Sequence, residues 1–186
     1  MSPAEFGALC AKTGQASIGS GFGKRPNHPP GPMLGAIDRL AQKPIVLELP
    51  YPLSTNRIWN PITIRGKKSG KARSLNVLTT EAKAYKARIA NICAMAGVVK
   101  IWGRIELEMW LYPQRPQDWE KRRRDDPETW DDTVRCIDRD NAPKLVIDAL
   151  KDIAFEDDKW IWDQSIRRRE PDGAARLLVR ISPWEK

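Results

Sequence analysis

The stretch Ile137–Asp158, IDRDNAPKLVIDALKDIAFEDD, constrains this chain more than any other. Asp138 and Asp140 stand two apart, Asn141 and Pro143 follow, and an apolar helical pattern begins. Leu145, Val146, Ala149 and Leu150 give that helix one buried stripe. Asn141 stands in a capping position and Pro143 in the first turn, where proline is tolerated. The expected helix, Ala142–Asp152, runs about 11 residues, or about 16 Å at 1.5 Å per residue. Asp157 and Asp158 close the stretch. A fold that uses all these carboxylates together must turn near Ile153–Glu156 and bring the far end of the helix back. A short strand expected at Val134–Ile137 leads into Asp138. In an extended segment, Asp138 and Asp140 project to the same side.

Two carboxylates on one side make a hard-oxygen site for Mg²⁺ or Mn²⁺. Left alone they repel, and a cation removes that penalty. A metal in such a place polarises a phosphate and activates water. Lys144, one turn into the helix, suits stabilisation of charge developing on a scissile group. The plainer reading also stands: aspartates before a helix cap it or meet its dipole, an acidic pair makes a surface turn, and Lys144 is a solvated lysine.

The rest of the composition narrows the chemistry. The single histidine, His28, leaves no basis for a multi-histidine metal site. Cys10, Cys93 and Cys136 are odd in number and widely spaced, which speaks against a disulfide framework and fits a reducing cytoplasm. A net charge of +8 favours a polyanion such as nucleic acid as partner. No apolar run approaches a membrane span, and no secretory signal pattern stands at the start. Gly23-Lys24 fails as a phosphate loop, because Ile18 and Arg25 occupy positions that need glycine and a hydroxyl residue.

Residues 1–44 are rich in glycine and proline and read as a flexible N-terminal extension, with a short helix conceivable at 34–42. Order is expected over 45–186. Ile45–Leu49 reads as a strand. The segment after it offers Ser54, Asn56 and Arg57 to a ligand. Residues 57–78 read as a hairpin whose tip, Arg65–Arg73, holds five basic residues and two glycines. Lys67, Lys68, Lys71 and Arg73 there suit phosphate contacts, or simply a solvated turn. Thr79 or Thr80 caps a helix running to about Ala96, with Gly97 as its stop and Ala82, Tyr85, Ile89, Ile92 and Ala96 as its buried face. A half-buried strand is expected at 101–112, then a polar excursion at 113–135 with a short helical piece. In that excursion Trp119 and Trp130 either pack on the body or stack on bases. Two further strands are expected near Trp160–Arg167 and Ala174–Ile181.

These residues resemble the RusA-type Holliday-junction resolvases of bacteria and prophages. The family pattern, Asp-x-Asp-Asn-x-x-Lys, then Asp-Ala-Leu, then an aromatic and Asp-Asp, reads here Asp138, Asp140, Asn141, Lys144, then Asp148-Ala149-Leu150, Phe155 and Asp157-Asp158. Pro52, Ser54, Asn56 and Arg57 match its N-terminal segment, and residues 79–86 its first helix. The resemblance covers about residues 45–182. It implies an α+β fold, a small mixed sheet packed with two main helices, and a homodimer. It further implies a crossover junction endodeoxyribonuclease with Mg²⁺ (or Mn²⁺) on Asp138, Asp140 and Asp158, and with Lys144 assisting. Asp158 is preferred to Asp157 only through the resemblance, and Asp148, one turn beyond Lys144, is left unassigned, with orienting Lys144 as its plainer role. Paired cuts in a four-way DNA junction, with 5′-phosphate products, would serve DNA recombination and repair. Departures at the long 113–135 loop, and VRCI in place of a compact basic run before Asp138, leave two other readings open. One is a nuclease of broader branched-DNA specificity; the other is a catalytically silent DNA-binding protein.

Overall fold

The computed structural model describes residues 42–65 and 72–185. Strand β1 (Ile45–Pro50) is followed by a hairpin, β2 (Trp59–Arg65) and β3 (Ala72–Leu78), and by helix α1 (Thr80–Met95). Then come β4 (Ile105–Tyr112), the short α2 (Trp119–Asp125), α3 (Ala142–Leu150), β5 (Ile161–Arg168) and β6 (Arg176–Pro183). Four strands form one mixed sheet in the order β1-β6-β4-β5. β5 runs parallel to β4 and occupies an edge, while β6 is antiparallel to both β1 and β4. The α+β class read from the sequence holds.

Strand alternation decides where the core lies. Leu47 and Leu49, Ile105 to Leu111 at every second residue, and Leu177, Val179 and Ile181 are buried along one face of the sheet. They form a single core with α1 and α3, which pack against each other, α1 also meeting β1. α3 contributes Ala142, Leu145, Val146, Ala149 and Leu150, the stripe expected from its spacing. On the opposite face Glu108 is nonetheless buried, held by the guanidiniums of Arg167 at 3.0 Å and Arg180 at 3.2 Å.

α1 begins and ends for stated reasons. The Thr79 hydroxyl accepts from the Ala82 amide at 3.1 Å. Gly97, at φ +62°, ends it; its amide donates to Ala94 O and the Val98 amide to Cys93 O, which satisfies the last carbonyls. The buried face differs from expectation at its C-terminal end: Cys93 is buried, Ile92 only partly, and Ala96 is exposed. The last turn runs past the edge of the core, so the apolar spacing there outlasts its partner.

Three other expectations change. The strand at 101–112 starts at Ile105, with Ile101 reduced to an isolated bridge to Phe155. The strand at 134–137 does not form; the segment is a loop that begins in a bend at Val134 and is held by side chains. The Ile137 amide donates to Tyr51 Oη at 3.0 Å, and the Arg168 guanidinium donates to the carbonyls of Val134 and Asp131. β5, not this segment, takes the place beside β4. α3 stops at Leu150, two residues early: Lys151 leaves the helix at ψ 140°, and Asp152 follows at φ 66°, a conformation an aspartate tolerates better than most residues. The N-terminal extension, the helix at 34–42 but for its last residue, and the hairpin tip with Lys67, Lys68 and Lys71 lie outside the described residues. Among the described residues no helix is long and apolar enough to cross a membrane.

Candidate active site

The site starts from the turn that opens α3. The Asp138 carbonyl accepts from the amides of Asn141 (3.1 Å) and Ala142 (3.0 Å), so Asp138 and Asp140 belong to a tight turn. The extended i, i+2 geometry expected for them is replaced by this turn, for want of a strand to continue. Both carboxylates are exposed. Asn141 holds the capping position without making a side-chain cap bond. Its side chain bridges instead: its amide nitrogen donates to Asp138 Oδ2 at 3.4 Å, and its oxygen accepts from Lys144 Nζ at 3.4 Å. Buried Pro143 and Leu145 fix the turn from below.

Tyr51 secures the approach to this turn. Its hydroxyl receives the Ile137 amide and lies 3.1 Å from Cys136 Sγ. Burial, helped by the Cys136 contact, pushes the phenol well above its ordinary range, so it stays neutral and its hydrogen bonds persist.

At the far end of α3 the chain turns back. The Asp152 amide donates to Phe155 O at 2.8 Å, and Phe155 is fully buried as the anchor of that return. Asp157 then caps a short 3-10 turn, Asp158–Trp160, by accepting from the Lys159 amide at 3.1 Å. Lys151 Nζ stands 3.1 Å from Asp157 and 3.6 Å from Asp158. Hydrogen bonding with the Asp158 carboxyl, then the Lys159 amide and the Lys151 ammonium, holds Asp157 well below the usual carboxylate range. The Asp158 side chain keeps 62% of its surface exposed, against 33% for Asp157. Asp157 is therefore committed to the backbone and to Lys151, which leaves Asp158 as the more available carboxylate.

Two depressions result. A groove of about 530 Å³ brings together Lys144, Asp148 and Asp158, with Gln164, Trp59 and Trp162 on its walls. A second, of about 790 Å³, holds Asp138 with Ser54, Arg57, Arg122, Arg135 and Cys136. Asp140 lines neither. Asp148 shares the groove with Lys144, and the lysine's hydrogen bond goes to Asn141. The carboxylates Asp138, Asp140 and Asp158 suit a hard divalent cation in kind. Among the described residues, no group of three or more His, Cys, Asp or Glu side chains is gathered to hold a metal ion.

The expected DNA-contact residues divide. Asn56 is exposed on a short 3-10 turn, and Arg73 is exposed on β3. Arg57 is engaged by Glu81 through two bonds of 3.0 Å. Trp130 is buried and Trp119 packs on it at 6.4 Å, so packing, not base stacking, accounts for that pair. Sequence reading missed Trp59, Trp162 and Arg135, because each lies in a segment whose partners come from elsewhere in the chain. The bridging role of Asn141 was hidden behind its good capping position.

A family model described as endodeoxyribonuclease RusA matches residues 59–182. No curated protein matches the chain.

Proposed function

The chain belongs to the RusA endodeoxyribonuclease family, and we propose that it hydrolyses phosphodiester bonds at four-way DNA junctions. The observation that carries this reading is the position of Lys144. Asn141 ties it to Asp138 on one side, and on the other it lines the groove that holds Asp148 and Asp158. A cation held among carboxylates in this way stabilises negative charge as it develops on the scissile phosphate or its leaving oxygen.

Asp138, Asp140 and Asp158 would hold Mg²⁺, or Mn²⁺ in its place. When bound, such an ion supplies Lewis-acid polarisation of the phosphate and lowers the pKa of water. Water adds in line to phosphorus and the bond to the 3′ oxygen breaks, which leaves a 5′-phosphate and a 3′-hydroxyl. The Lys144 ammonium faces the charge on that centre. Asn141 and the Tyr51-pinned segment keep the turn in register, while Asp157 and Lys151 keep Asp158 at the groove.

A homodimer acting in the cytoplasm, with two such sites related by a two-fold axis, fits paired symmetric cuts in a junction, and so recombination and repair. The net charge of +8 supports a DNA surface. One assay separates this from its rivals. The purified protein is incubated with a four-way junction, a fork and a linear duplex, with and without Mg²⁺ or Mn²⁺. Symmetric, metal-requiring junction cuts are expected. Equal cutting of forks would leave a nuclease of broader branched-DNA specificity. Binding without cleavage in either metal would leave a silent DNA-binding protein.

A further inference from the structure

We propose that Trp59 and Trp162 form a stacking platform that holds a branch-point base of the DNA substrate in the groove beside Lys144 and Asp158. The inference rests on the endonuclease reading and adds a substrate-positioning element to it. Eight tryptophans are present, and among the described residues only these two stand out as strongly exposed, at 46% and 52%. Large aromatic side chains are normally well covered, and exposed ones concentrate at binding surfaces. Both border the same groove, the one that also holds Lys144, Asp148 and Asp158.

The Trp162 ring is held before any substrate arrives. The Arg104 guanidinium lies 3.6 Å from its centroid, and the Trp184 ring braces it at 5.4 Å and 47°. It lines the groove from strand β5, which is an edge of the sheet among the described residues. Trp59 opens β2 at the foot of the hairpin and faces the groove from another element. A base stacks on an indole whatever its identity, because every base presents a π face. Inside a duplex both faces of a base are taken by its neighbours. When a junction is opened about its branch point, the stacking of one arm on the next is lost there, so a face becomes available. The platform therefore reads branching without reading sequence, and Lys144 and Asp158 stand where the adjoining phosphate would be presented.

The test uses a four-way junction with 2-aminopurine at the branch point. Cleavage is first confirmed with the unaltered protein; no cutting and no preference for branched DNA would overturn the endonuclease reading and the platform with it. Binding is then followed with Asp140→Asn, so that the DNA stays intact. A change in 2-aminopurine emission is expected on binding, and it should be lost when Trp59→Ala or Trp162→Ala is added. In the otherwise unaltered protein, either alanine change should lower kcat/KM on junctions by about tenfold or more, with binding to linear duplex unchanged. Trp162→Phe should restore most of the activity. Unchanged emission and unchanged kcat/KM in both alanine variants would overturn the platform. So would a Trp162→Phe protein as impaired as Trp162→Ala, which would assign the ring to packing against Arg104 and Trp184.

Discussion

The two depressions that meet at the Asp138–Lys144 turn are built from different materials. The one at Asp138 is walled by Arg57, Arg122 and Arg135. Two of those arginines are already committed, Arg57 to Glu81 and Arg122 to Asp118 at 2.9 Å. The groove at Lys144 carries Asp148, Asp158 and two tryptophans. The first suits a phosphate backbone, and the second suits charge stabilisation and stacking. The difference teaches that a motif continuous in sequence can supply two surfaces. Asn141 is the joint between them, a residue in the capping position whose side chain bridges Asp138 and Lys144 instead of capping.

The strongest test neutralises one carboxylate of the turn, Asp140, and one of the groove, Asp158. Asp140→Asn and Asp158→Asn should each lower kcat by at least about a hundredfold, the scale of losing one stabilising group at a transition state. Junction binding, read by gel shift, should persist or tighten in Asp140→Asn, because a negative charge near DNA phosphates is gone. Retained cleavage in either variant would show that the altered carboxylate plays no part in the chemistry. Next in size, Lys144→Ala should cost about tenfold to a hundredfold in kcat with little change in Kd. A loss confined to Kd would move Lys144 to the binding surface.

Arg135 sharpens the other side. It makes no ion pair among the described residues and lines the Asp138 depression. Arg135→Ala should weaken binding to every DNA form by a similar few-fold factor and reduce the salt slope by about 1; an effect confined to junctions would mean that it reads shape. The smallest effect belongs to Asp157. Asp157→Ala should cost about 1 kcal/mol in denaturant unfolding through the lost cap. Because its folded pKa is depressed, its contribution is present above the unfolded carboxylate pKa of about 3.9 and fades as pH falls below that value. The difference between Asp157→Ala and the unaltered protein should therefore shrink on acidification. A difference constant down to pH ~2 would contradict the Lys151 and Lys159 contacts.

Much of the fold was legible in advance because it follows local rules. A short apolar run placed β1, alternation placed β4 and β6, apolar spacing placed α3, and Thr79 and Gly97 bounded α1. What failed depended on competition between distant segments. Val134–Ile137 has strand-like residues, yet β5 holds the position next to β4, and Tyr51 and Arg168 take up its backbone groups instead. Arg57 invited a phosphate contact until Glu81, 24 residues on, was found against it.

The sequence by itself determined the kinds of group that gather here: the aspartates, the lysine, the capped helix between them and the family to which they belong. Periodicity and capping act within one or two turns, so they are written in neighbouring residues. Only the tertiary structure decided that Asp157 is spent on a backbone cap, that Asp158 meets Lys144 across a groove, and that two tryptophans from β2 and β5 stand beside them. Those outcomes depend on which of several strands wins each edge of the sheet. That is settled by burial summed over the whole core, and no local pattern records it.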